Sequence, residues 1–173
     1  ARALLEAARS AFALNDRDAA QTYLGRARAE QAGDELLELE LRTQQAGLDL
    51  WSNEPKKRGR IDAHAAVDRA RRLFDKDDGA RIVYLEALRV EYEAAYQEDD
   101  LDAMVRAAEE RAEVARGFDD EAQLTASIAS ARALRRAGRL DEAQERAQFV
   151  WDEAKRRVLP RLMLDAGYWL GTF

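Results

Sequence analysis

At 173 residues the chain is long enough for one sizeable core or a short repeat array, and too short for two ordinary domains plus a linker. Its 47% hydrophobic content excludes general disorder, and 35 alanines against two prolines favour helix nearly everywhere, so a β-rich fold is not expected. The net charge of -6 argues against direct nucleic-acid binding, which needs a clustered excess of Lys and Arg, and the absence of cysteine excludes disulfides and thiolate chemistry.

Taken in chain order, turn or cap residues fall at Asn15-Asp16, Gly33-Asp34, Ser52 to Gly59, Asp77-Asp78-Gly79, Glu98-Asp99-Asp100, Gly117 to Asp120, Gly138 and Leu159-Pro160. The stretches between them carry apolar residues three and four apart, as in Ala20, Leu24, Ala27 and in Leu85, Leu88, Tyr92, Ala95. That spacing predicts nine helical segments. Alternate segments begin near Ala1, Asp34, Gly79, Asp119 and Pro160, a period of roughly 40 residues, the range of helix-pair repeats. The second helix of each pair repeats a small-residue pattern: Ala20, Leu24, Ala27; Ala66, Ala70, Leu73; Ala143, Ala147, Val150; and a blurred Met104, Ala108, Ala112. Small side chains there let helices lie close to their partners and to the next repeat.

The stretch LRRAGRLDEAQERA, Leu134 to Ala147, condenses one such unit: helix, Gly-Arg-Leu-Asp turn, helix. In it Gly138, Leu140 and Ala143 resemble the interhelix turn glycine, the apolar residue after it and the first small residue of the second helix in the tetratricopeptide repeat family. Ala46-Gly47 and Leu170-Gly171 are similar to the family's first-helix Leu-Gly pair. The resemblance covers most of the chain. It implies an all-α, right-handed α-solenoid of antiparallel helix pairs, with about four repeats (1–33, 34–78, 79–118 and 119–159) and the first helix of a fifth (160–173), in one domain spanning 1–173. Several features depart from the family pattern. The repeats are long, the first-helix Trp is missing, the third repeat fits only in an adjusted register, and the second carries an insertion around EPKKRGR. Long, degenerate repeats of this kind are similar to the sensor arms of bacterial STAND-type transcriptional regulators. A compact helical bundle is the architectural alternative.

No enzyme machinery is legible. His64, the single histidine, has neither a second His nor a Cys for metal ligation, no serine sits in a Gly-x-Ser-x-Gly setting, and no phosphate-binding glycine loop exists. The expectation is therefore a non-enzymatic chain without cofactor or metal. Asp99-Asp100 and Asp119-Asp120 are expected to cap helices rather than to act as acid and base. The basic run Lys56-Lys57-Arg58-Gly59-Arg60 reads as an exposed loop, and Tyr84, Tyr92 and Tyr96 as core and groove wall.

In the tetratricopeptide family the first helices line a concave groove. Carried over residue by residue, the resemblance implies groove positions at Arg2, Leu5, Arg9 and Phe12, at Gln44, Leu48 and Trp51, and at Thr125, Ile128, Arg132, Arg135 and Arg136. Aromatic and Arg side chains are frequent binding anchors. The expected activity is binding of a peptide or helix with acidic and apolar features; a ligand-sensing arm of a larger bacterial regulator is the second reading. Further expectations are a cytoplasmic home without membrane contact, since no apolar run approaches the roughly 20 residues of a span, and derivation from a longer protein, since the chain opens on Ala1 and stops inside a helical pattern. Self-association through the last helix follows from that cut end.

Overall fold

A computed structural model describes residues 1–31, 33–51, 57–74 and 78–172, with the side chains of 57–60 and 78 outside that description. Among the described residues the chain is all-helical: α1 (Arg2–Ala13), α2 (Arg17–Ala29), α3 (Glu35–Leu50), α4 (Lys57–Leu73), α5 (Asp78–Glu98), α6 (Leu101–Ala115), α7 (Asp120–Arg136), α8 (Leu140–Arg156) and α9 (Pro160–Leu170). No helix of the described residues is long and apolar enough to cross a membrane.

Helix boundaries follow local chemistry. Asp16, Asp34, Asp100 and Asp119 each accept a hydrogen bond from the backbone N–H three residues on, at 2.9–3.1 Å, and so satisfy a donor that the first helical turn leaves open. Asp100 and Asp119 thus cap as expected, whereas their neighbours pair instead: Asp99 with Arg136 and Asp120 with Arg157. Gly117 and Gly138 close the turns before α7 and α8 at φ +71° and +76°, where a Cβ would be strained. The corresponding position before α9 is Val158 at φ +57°, a β-branched residue in a conformation that disfavours it.

The chain divides into two compact units, Ala1–Ala94 and Ala95–Phe173, with the division inside α5. In the first unit α1 packs on α2 and α3, and α3 on α2 and α4. One core joins Leu5, Ala8 and Ala11 of α1 with Ala20, Leu24 and Ala27 of α2 and Leu37, Leu41 and Leu48 of α3. A second joins Ala46 and Leu50 of α3, Ala63 of α4, and Val90 and Ala94 of α5. A Cβ at Gly47 would sit 3.5 Å from Val90, an ordinary van der Waals contact, so α3 and α5 pack here at a distance an alanine would also allow. In the second unit α7 packs on α6, α8 and α9, and α8 on α9, around Leu124, Ile128, Ala131, Ala147, Val150, Ala154, Leu162 and Ala166.

The small-residue pattern is packing. Ala20, Ala27, Ala70, Ala143 and Ala147 are fully buried, so a larger side chain at any of them meets a neighbouring helix. Gly167 works the same way, since a Cβ there would come within 2.9 Å of the Trp151 ring.

Candidate functional site

The groove positions read from the sequence divide into accessible and buried sets. Leu5, Leu48 and Ile128, expected as groove lining, are buried in the cores, where an apolar side chain facing the neighbouring helices is held by packing. Phe12 is half-buried against the first core. Arg2, Arg9, Gln44, Trp51, Thr125, Arg132, Arg135 and Arg136 keep accessible surface.

In the first unit, α1, α3 and α5 present a polar network. Glu40 and Gln44 share one face of α3, being four residues apart, and Trp51, seven residues further on, caps the end of the helix. Arg9 of α1 donates to Glu40 at 3.4 Å, and the Arg2 guanidinium lies 4.0 Å from the same carboxylate. The Gln44 amide donates to Glu86 of α5 at 3.1 Å, and the Trp51 indole N–H donates to Glu93 at 3.2 Å. Between those two glutamates, one turn from each, Arg89 donates to Glu86 at 2.7 and 3.0 Å and to Glu93 at 2.5 Å. Burial opposes the charge of Arg89, but the hydrogen bonds and charges of Glu86 and Glu93 outweigh it and hold the guanidinium above its ordinary pKa. Arg17 donates to the Trp51 carbonyl, fixing the end of α3 and leaving the indole 45% exposed. The arrangement brings Arg9, Gln44 and Trp51 onto one surface, where each cation faces a carboxylate and one aromatic ring stands open.

In the second unit, α7 and α9 build a different surface. The Arg132 and Arg135 guanidinium carbons lie 5.6 and 5.5 Å from the centre of the Trp169 ring, within cation–π range. Arg135 also donates to the Thr172 carbonyl at 3.2 Å. Among the described residues no carboxylate stands within ion-pair distance of Arg132. Arg136, one turn beyond Arg132, stacks 4.5 Å from the Tyr96 ring centre and donates to Asp99 at 2.6 Å. Leu164 and Tyr168 stand exposed on α9, with Leu162 and Ala166 turned to the core.

Sequence reasoning missed Glu40, Glu86, Arg89, Glu93 and Trp169. The spacing Glu86, Arg89, Glu93 was a usable signal, since charges three and four apart on a helix pair with one another. Trp169 gave none, because its role depends on α9 lying beside α7. Of the other residues singled out, His64 is exposed with Nδ1 3.1 Å from Glu91, as an ordinary surface histidine would be. Tyr84 and Tyr92 are buried and Tyr96 is exposed. Backbone from Lys57 on is already helical, so the basic run is not wholly a loop; Lys56 and the side chains of 57–60 lie outside the described residues. Among the described residues no group of three or more His, Cys, Asp or Glu stands where it could hold a metal ion.

Comparison with family models, with curated proteins and with solved structures finds no match for this chain.

Proposed function

We propose that the chain is a non-enzymatic interaction module, a tetratricopeptide-like right-handed solenoid of antiparallel helix pairs, that binds a peptide or helix carrying acidic and large apolar residues. The observation that carries the reading is the Arg132–Arg135–Trp169 surface. A guanidinium resting on an aromatic ring keeps its charge and its N–H donors, while the ring offers apolar area at little entropic cost. An acidic side chain can take the Arg132 donors, and a neighbouring apolar side chain can cover what remains of the ring. In the first unit Trp51 supplies a second exposed aromatic anchor, set in a rim of alternating charge suited to specificity rather than to raw affinity.

The helix order supports the repeat reading in particular. Packing of α1 on α3 and of α7 on α9, with the intervening helix packed on both, is what stacked helix pairs produce. Alanine-lined second helices fit the same architecture.

The test is selection of random peptides on the immobilised chain, repeated on Arg132→Ala/Arg135→Ala. The reading expects enrichment of sequences with acidic and aromatic or large aliphatic residues, lost from the double variant while its circular dichroism and melting stay unchanged. Absence of enrichment, or enrichment that the double variant retains, contradicts it.

A further inference from the structure

Away from those surfaces, α2, α3 and α4 of the first unit enclose a cavity of about 230 Å³. On α3 its residues are Leu39, Arg42 and Gln45, on a different side of the helix from Glu40, Gln44 and Trp51. Leu39 and Ala66 are buried and give the cavity an apolar floor. Each of the three helices then contributes one arginine to the wall: Arg28 from α2, Arg42 from α3 and Arg69 from α4. Asp62 is the single carboxylate among the lining residues.

These guanidiniums are positioned but not saturated. Arg42 pairs with Glu38, one turn before it, and Arg69 donates to Glu35 at 3.0 Å. Neither glutamate lines the cavity. A guanidinium has five N–H donors, and one carboxylate engages at most two of them, so both arginines keep donors for a further acceptor. The Arg28 guanidinium makes no hydrogen bond or ion pair among the described residues. Gln45 adds an amide, shared with Gln21 and Asp49.

The second unit contains the counterpart cavity, among α6, α7 and α8, with a volume of about 360 Å³. There Arg116 and Arg146 are matched by Glu142 and Glu145, so the lining is neutral. The excess of cations in the first cavity is thus a local feature, in a chain whose net charge is -6.

We propose that the α2–α3–α4 cavity is a binding site for a small organic anion, a phosphate or carboxylate group on a short apolar frame. The anionic group sits among Arg28, Arg42 and Arg69, and the frame lies on Leu39 and Ala66. A bare inorganic ion fits less well, because the volume far exceeds the ~10–15 Å³ that one water requires on the same measure, and the apolar floor would stay wet.

The experiment is calorimetric titration of the full chain with phenyl phosphate, benzoate and inorganic phosphate at constant ionic strength. Saturable one-to-one binding of phenyl phosphate or benzoate, at least about tenfold tighter than inorganic phosphate, is the expected result, and the tighter of the two identifies the anionic group. Arg28→Ala and Arg69→Ala each weaken that binding about tenfold, and Asp62→Asn strengthens it. Equal binding of inorganic phosphate overturns the assignment of an organic ligand. Absence of saturation below ~10 mM, or affinities that both arginine variants leave unchanged, overturns the site. Arg28 is exposed and Arg69 half-exposed, so unchanged circular dichroism is expected for both variants and is measured alongside.

Discussion

Arginine does different work in the two units. On the α1–α3–α5 face of the first unit, Arg9 and Arg89 are answered by Glu40, Glu86 and Glu93, so each of the two cations is paired within the protein. On the α7–α9 face of the second, Arg132 and Arg135 lie against Trp169, and among the described residues no carboxylate pairs with Arg132. A guanidinium held by two half-buried carboxylates is costly to remove, because their charges would be left uncompensated, whereas one held by a ring is positioned yet still attractive to an anion. Arg136, stacked on Tyr96 and paired with Asp99, combines both situations in a single side chain.

The largest expected effect breaks the first half of this comparison. Arg89→Ala leaves Glu86 and Glu93 facing each other without their shared cation and is expected to destabilise by about 2 kcal/mol, below the range for a fully buried pair because the side chains keep a quarter of their surface. Chemical denaturation checks it. Arg132→Ala forfeits a contact worth only about 0.5–1 kcal/mol, so the same denaturation curve should barely move. Equal losses from the two substitutions would erase the distinction.

A third substitution compares the turns of the second unit. Val158 occupies the left-handed conformation that Gly117 and Gly138 hold in the turns before it, and it is 77% exposed, so little packing is lost with its side chain. Val158→Gly is expected to raise stability by about 1 kcal/mol, the strain relieved less the added freedom of the unfolded chain. A fall in melting temperature would mean that the strain is absent.

The smallest effect is electrostatic and appears in acid. Asp34 in the first unit is held below its usual pKa first by the Leu37 backbone N–H it caps; Glu142 and Glu153 in the second are held below theirs by hydrogen bonds from Arg139 and Arg156. A carboxyl whose folded pKa is depressed adds stability above its unfolded value and loses it as pH falls through the folded one. Stability should therefore be level above the ordinary values of 3.8 for Asp34 and 4.5 for the glutamates, and decline below them. Asp34→Asn should shallow that decline, as read from melting temperature against pH; an unchanged slope would remove Asp34 from the account.

What the sequence made legible was local. Turn glycines, capping aspartates and the alanine period depend on neighbours within a few residues, and the helices begin and end beside them. Which of the expected groove positions keep accessible surface was legible only in part. Leu48 and Ile128 share their helices with Trp51 and Arg132, and the family register could not tell a position turned into the core from one turned outward. The α5 residues escaped because the third repeat fits the family pattern only in a shifted register. Trp169 escaped for a deeper reason: nothing near it in sequence reveals which arginines will lie against its ring.

The central claim is that Arg132 and Arg135 are binding residues and Arg89 is a structural one. It is tested most directly by titrating one acidic, aromatic-containing peptide, selected on the parent chain, against the parent and the Arg132→Ala/Arg135→Ala variant at matched melting temperature. The account predicts at least a tenfold loss of affinity, ~1.4 kcal/mol, with steep weakening by salt in the parent and a shallower dependence in the variant. Equal affinity and equal salt dependence for the two proteins would contradict it.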